Sequence, residues 1–333
     1  YSIMNLSKII PIRYNLGNLS QYRTPLMGMS IIMILLCHAR MDGAQLPDVV
    51  LSILSLGNWG VDIFLLVSGI GMYYSISKKG NNINWEGWIL SRLKRVLIPY
   101  LILESPFWIW YSLHDGTGIK GFFYYISFCS YWTEHVGLWF LALLIPLYII
   151  TPLLYKLLSS SYKYLNLGIL LVIVMVISVY PVGDNTIINT IQSCLFRTPC
   201  YLIGLCIGSE VKESKRSCLI YLIPIILYII LQTFDSFSAV YKGWIWALLI
   251  AVLFAQLFSY MSRSRLYNVI TLLNIGKYTL ELYIGLDISK NILIQFMGLG
   301  TSYWLLSICG SIVFAFLYNV VFLKIFSKGL KWS

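Results

Sequence analysis

The chain has 333 residues, 59% of them hydrophobic and 11% charged, with a formal net charge of +11. A water-soluble domain usually carries about 25% charged residues, so this composition excludes a soluble fold. The basic residues lie between apolar runs in alternate segments, which makes the charge a membrane-topology signal and excludes a nucleic-acid-binding surface.

The apolar runs are long and lack the alternation of barrel strands, so the spans are helices, whose backbone polar groups are satisfied internally. A span needs about 20 mostly apolar residues. In chain order the runs predict spans near 24–40, 57–77, 96–113, 136–155, 164–181, 194–209, 218–233, 243–261, 272–297 and 302–323. The expected fold is an all-α polytopic bundle of about ten spans, a single membrane domain over 1–333. Segments 1–23 and 324–333 are its cytoplasmic ends. With the N-terminus inside, only Arg40, Lys120 and Lys242 fall outside the membrane, and Arg197 and Lys290 fall within spans. The remainder of the 24 Lys and Arg are cytoplasmic, as the positive-inside rule asks. The first run has the length of a signal-peptide core, but no small-residue cleavage pattern follows His38–Arg40, so it reads as a span. The aromatic stretch 121–132 is too short to cross and is assigned to the outer interface.

Ionisable groups inside spans are expensive, by about 2.5–3.5 kcal/mol on insertion scales, and so mark candidate sites. His38 lies toward the outer end of the first span and Asp62 near the outer end of the second. If the two helices are neighbours, the carboxylate sits at a depth to orient the imidazole of a general base. The alternative is a backbone-bonded helix-end histidine and an interfacial cap. Arg92, Lys94 and Arg95 stand at the cytoplasmic mouth of the third span, as positive-inside anchors or as a grip for phosphates. Glu104 lies roughly 13 Å deeper than Arg95 at about 1.5 Å per residue. Arg197 enters the sixth span from outside, as a site or by snorkelling. Asp287 and Lys290 are spaced to neutralise one another, as are Lys277 and Glu281. Ser68-Gly69-Ile70-Gly71 reads first as a helix-packing stripe. The seven cysteines read as small core residues, with no metal-ligand spacing. His114 and His135 are loop histidines.

The order of these pieces resembles the acyltransferase 3 family of bacterial multi-pass membrane acyltransferases. The matching text is Arg23-Thr24-Pro25-Leu26-Met27-Gly28 running to His38, Gly57-Asn58-Trp59-Gly60-Val61-Asp62-Ile63-Phe64 with Ser68-Gly69, and Arg92-Leu93-Lys94-Arg95 running to Tyr100. Leu138-Trp139-Phe140-Leu141, Arg197-Thr198-Pro199 and Ile275 to Tyr283 supply later landmarks. The chain departs from the pattern at Met27, where many members have an arginine and Arg23 takes that part, at Leu144 (often Glu) and at Leu286 (often His). It also shows no C-terminal esterase-like domain of the kind some members carry.

The resemblance implies transfer of an acyl group, by family habit acetyl, from cytoplasmic acyl-CoA to a hydroxyl of an extracytoplasmic glycan or lipid-linked sugar. Its setting would be the cytoplasmic membrane of a bacterium. It implies His38 as the catalytic residue, with Asp62 stabilising the imidazolium and Arg197 or a span-end amide the oxyanion, by direct transfer or by an acyl-imidazole relay. Arg23, Arg92, Arg95 and Ser68 would serve acyl-CoA, with Glu104, Trp59 and Tyr283 in support. No metal is expected. Two other classes remain open on the sequence: a transporter or flippase of lipid-linked glycan, and a membrane glycan polymerase.

Overall fold

The computed structural model describes residues 13–80, 83–180, 185–232, 235–264 and 273–322, with positions 183 and 268. Residues 1–12 of the expected segment 1–23 and all of 324–333, with Lys8, Lys324, Lys328 and Lys331, lie outside the described residues, as does Arg265.

The described chain is a helical bundle. Its helices are α1 (Gly17–Gln21), α2 (Arg23–Met41), α3 (Asp48–Ser55), α4 (Trp59–Ser77), α5 (Trp85–His114), α6 (Gly118–Ile126), α7 (Cys129–Glu134) and α8 (Trp139–Leu158). They continue with α9 (Lys163–Val179), α10 (Thr186–Leu195), α11 (Thr198–Cys206), α12 (Gly208–Lys212), α13 (Leu219–Gln232), α14 (Asp235–Met261), α15 (Thr279–Leu293) and α16 (Thr301–Leu317). Among the described residues, six stretches are long and apolar enough to cross a membrane: Arg23–Met41, Asp48–Ser77, Trp85–His114, Trp139–Leu158, Gly243–Met261 and Thr301–Val320. Large apolar side chains such as Ile149, Leu153, Ile169, Val172 and Val176 point outward, which suits a lipid-facing surface.

The predicted sixth span over 194–209 differs most. It takes in the last residues of α10, a break at Phe196–Arg197, the whole of α11 and the start of α12. Pro199 has no N–H to give to a continuing helix but fits the first turn of a new one, so the chain restarts there. At about 1.5 Å per residue α10 and α11 each cover only about half of a hydrocarbon core of about 30 Å. The ninth predicted span opens as a tight 3₁₀ segment, Leu273–Lys277, before α15. The aromatic stretch 121–132 falls in the two short helices α6 and α7, neither long enough to cross.

The all-α expectation is modified by one two-residue ladder, β1 (Tyr14–Asn15) against β2 (Arg216–Ser217), antiparallel. It gathers segments from distant parts of the sequence at the end of the bundle where α2 begins. Leu16 N–H donates to the Lys215 carbonyl at 3.0 Å, and Lys163 pairs with Glu210. Burial alone would raise the Glu210 carboxyl, but hydrogen bonds from Lys163, Tyr164 and Ser209 outweigh it and hold the group below its usual range. At the opposite end Lys290 pairs with Asp42 at 2.7 Å, and the Gln45 N–H donates to Thr301 Oγ1 at 2.8 Å.

The core contact that fixes α4 is with α11, where two backbones approach through glycine. A Cβ on Gly69 would run into the Tyr201 carbonyl, and one on Gly204 into the Leu66 carbonyl. This is the small-residue packing used between helices in lipid. Gly204→Leu is expected to cost at least the roughly 1–3 kcal/mol of an overpacked core, because the obstructing atoms are backbone. Loss of the monodisperse peak in detergent size-exclusion chromatography would register it; an unchanged profile and melting point would contradict this packing.

Candidate functional site

A cavity of about 350 Å³ runs along α2 between α4, α5, α8 and α15. At one end it is lined by Arg23 from the first turn of α2, Arg92 and Arg95 from α5, and Lys277 from the 3₁₀ segment. Arg92 and Arg95 are three apart, so one face of α5 presents both. The Arg92 guanidinium donates to Ser75 Oγ and lies 5.7 Å from the Trp88 ring centroid, which fixes its direction. The Arg23 guanidinium lies against Gly71: a Cβ there would stand 3.1 Å from Arg23 Nη2. The stripe at 68–71 therefore does three jobs, with Ser68 facing the cavity, Gly69 meeting α11 and Gly71 making room for Arg23.

Among the described residues there are four ion pairs, and none includes Arg23, Arg92, Arg95 or Lys277. Glu281 also lines the cavity, without closing the expected pair with Lys277. Several cations thus face one space holding a single carboxylate, an arrangement suited to a polyanionic ligand. Leu144, the position of one family departure, is part of the wall.

Farther along, the lining becomes apolar, with Met27, Ile31, Ile34, Val61, Phe64, Phe140 and Tyr283. The Phe140 N–H donates to Tyr283 Oη at 3.4 Å, tying α8 to α15 beside the cavity. Ile34 is one helical turn before His38, and Val61 adjoins Asp62. The axial rise from Arg23 to His38 is about 22 Å at about 1.5 Å per residue. His38 Nδ1 is buried with no hydrogen-bond partner, behind the end of the cavity and not among the residues that line it.

The sequence placed Asp62 as the orienter of His38. Its carboxylate is instead held by Arg197: Arg197 Nη1 donates to Asp62 Oδ2 at 2.6 Å, and Nη2 to Asn58 Oδ1 at 2.8 Å. Asp62 is fully buried, and its Oδ1 has no partner. No hydrogen bond joins His38 to Asp62 among the described residues. Trp59, one residue past Asn58, stacks on Trp246 at 6.2 Å between ring centroids.

One further expectation needs correction. Lys290 makes its ion pair with Asp42, in the turn after α2, and not with Asp287, although its charge still acts on Asp287. Asp287 accepts from Asn291 Nδ2 at 2.9 Å and shares the lining of a small enclosed void with Glu104, Tyr100 and Trp108. A three-residue spacing allows contact on one face but does not choose between it and a better-placed acid from another segment. Glu104 is fully buried, away from the basic cavity.

A second cavity, of about 680 Å³, was not legible in the sequence. It is lined by Tyr131, His135, Gly137, Trp139, Ser178, Asn189, Gln192, Ser193, Phe196 and Arg197. The sequence singles out His135 and Arg197 as individual residues, Trp139 as part of a family landmark and Tyr131 within the aromatic interfacial stretch, while the amides fall in no pattern that marks a site. Successive residues of α8 line the two cavities, Trp139 the second and Phe140 the first.

A family model described as an acyltransferase domain, of the acyltransferase 3 type, matches residues 27–321. Arg23 lies just before the matched stretch. No curated protein and no solved structure matches the chain.

Removing one partner of a buried ion pair leaves the other charge uncompensated, at about 3–5 kcal/mol. Asp62→Leu and Arg197→Met are each expected to lower the melting point in detergent. The double variant should lose clearly less than the sum of the two, since neither charge is then stranded. Additive losses in a thermal double-mutant cycle would contradict the pairing.

Proposed function

The chain belongs to this acyltransferase family, and from that premise we propose that it moves an acyl group from acyl-CoA, entering at the Arg23 end, to a hydroxyl presented near His38. The observation that carries the proposal is the single cavity whose basic end gathers Arg23, Arg92 and Arg95 and whose apolar end stops one helical turn from His38. The guanidinium groups grip the phosphates of CoA, Ser68 and the apolar wall guide the pantetheine arm, and the thioester comes to rest beside Ile34 and Val61.

At that point the unpartnered His38 nitrogen takes the proton from the acceptor hydroxyl as its oxygen attacks the thioester carbonyl carbon. The C–S bond then breaks, and the imidazolium returns the proton to the CoA thiolate, giving an ester and free CoA. The open Oδ1 of Asp62 supplies counter-charge for the imidazolium, and the Arg197 guanidinium lies at the same end to stabilise the oxyanion. A relay in which His38 itself carries the acyl group uses the same geometry. Glu104, Trp59 and Tyr283 support the helices that form the two ends.

The topology that suits this chemistry has about ten spans with both chain ends on the cytoplasmic side. Two features support it: the positive-inside asymmetry, and the gathering of 14–17, 163 and 210–217 at the Arg23 end. In that frame acyl-CoA is cytoplasmic, acetyl-CoA by family habit. The acceptor is a glycan or lipid-linked sugar on the outer face of a bacterial cytoplasmic membrane.

His38→Ala is expected to lower acyl transfer by at least about 100-fold while eluting like the parent protein. Arg92→Gln with Arg95→Gln is expected to weaken acyl-CoA binding by tenfold or more, the effect of losing charge-assisted bonds of about 1.5–3 kcal/mol each. CoA release by the purified protein and acyl-CoA calorimetry are the measurements. Transfer retained by His38→Ala, or a parent protein that binds no acyl-CoA, would overturn the reading.

A further inference from the structure

We propose that the second cavity is a binding site for a neutral, hydroxyl-rich saccharide unit, the acceptor of the transfer; this rests on the reading of the preceding subsection.

The chemistry of its wall selects that ligand. Gln192 spends both amide hydrogens inside the protein, Nε2 donating to the Ile177 carbonyl at 2.8 Å and to the Tyr180 carbonyl at 2.7 Å. Its Oε1 remains as an acceptor. Asn189 Nδ2 gives one of its two hydrogens to the Gly183 carbonyl at 3.2 Å. Ser193 and Ser178 turn their hydroxyl hydrogens back onto helix carbonyls, at 2.8 Å to Asn189 and 2.7 Å to Val174, and keep their lone pairs. The wall therefore sets acceptors at Gln192, Ser193 and Ser178 beside donors at Asn189 and the Trp139 indole, and suits a ligand whose hydroxyls both donate and accept.

An anion is poorly served in the same place. The cationic lining group, Arg197, has its charge balanced by the fully buried Asp62 and two N–H groups committed to Asp62 and Asn58, so it offers no surplus charge to an anionic ligand, while its remaining N–H groups stay available to a transient oxyanion. Between the polar groups stand the aromatic rings of Tyr131, Trp139 and Phe196. Flat apolar rings beside hydrogen-bond acceptors match a sugar, which has C–H faces and O–H edges. The volume of about 680 Å³ is in the usual range for a small-ligand pocket, about 300–1,000 Å³.

Position links this site to the chemistry. Trp139 faces the second cavity and Phe140 the first, while Arg197 lines the second and holds Asp62, the neighbour of Val61 in the first. The two cavities approach one another at both places. A saccharide held against Trp139 is one residue along α8 from the apolar wall of the first cavity at Phe140.

The test is calorimetric titration of the full-length protein in detergent, without acyl-CoA. The probe is the oligosaccharides released from the envelope of the producing cells, separated into neutral and acidic fractions. The neutral fraction is expected to bind. Trp139→Ala and Ser193→Leu should each weaken it about tenfold or more, equivalent to about 1.4 kcal/mol, and Trp139→Phe should retain most of the affinity. Ser193 is exposed, so Ser193→Leu narrows the cavity without disturbing the core and carries the test if Trp139→Ala elutes abnormally. Neutral-fraction binding that ignores these variants, binding of the acidic fraction alone, or no binding overturns the inference. Acyl-CoA titration of the same samples separates the two claims: saccharide binding without acyl-CoA binding removes the transferase reading alone, and the reverse removes this inference alone.

Discussion

Arg23, Arg92 and Arg95 face one cavity with no carboxylate paired to any of them among the described residues. Fixed cations held together repel, and within a bundle of this composition each is costly unless water or a ligand reaches it. The fold supports this cost with specific devices: Trp88 and Ser75 hold Arg92, and the missing side chain at Gly71 admits Arg23. At the other end the solution is the opposite. Arg197 is matched by Asp62, and Lys290 by Asp42. The contrast gives the cavity a direction, with an unmet demand for negative charge at one end and compensated charges around an unpartnered imidazole at the other.

The break between α10 and α11 follows from the same requirements. A continuous helix over 194–209 would give Arg197 no special place. Restarting the helix at Thr198-Pro199 leaves Arg197 at the junction, from which it spans to both Asp62 and Asn58. The broken backbone lies beside a cavity, where irregular structure is tolerated within a membrane domain. The short helices α7 and α10 then form the walls of the second cavity with the start of α8. A break in one helix thus both positions a charge and opens a space.

Much of the fold was legible because apolar runs of span length have few other uses. The helices α2, α5, α8 and α14 contain or closely match the runs that predicted them. The residues at the basic mouth were legible too, since Arg92 and Arg95 share a helix face by spacing alone. Partner choice was not. Asp62 and Arg197 are 135 residues apart and Asp42 and Lys290 are 248 apart, and local spacing gave Lys290 to Asp287 instead. Side chains at i and i+3 are neighbours on a helix, but a carboxylate from another segment competes for the same cation, and sequence carries no measure of its distance. The break at Phe196–Arg197 did leave a signal in Pro199, which the apolarity of the surrounding run concealed. Asn189, Gln192 and Ser193 gave none, because polar residues at the end of a short helix are ordinary.

The central claim is directional: the acyl donor enters at the Arg23 end and the acceptor is met at the His38 end. It is tested most directly by supplying labelled acetyl-CoA to sealed membrane vesicles of known orientation, with the acceptor glycan present on both faces. The account predicts label on glycan across the membrane from the donor, and only when acetyl-CoA is on the face exposing the Arg23 end. Label appearing on the donor's own face, or from either face alike, would contradict it.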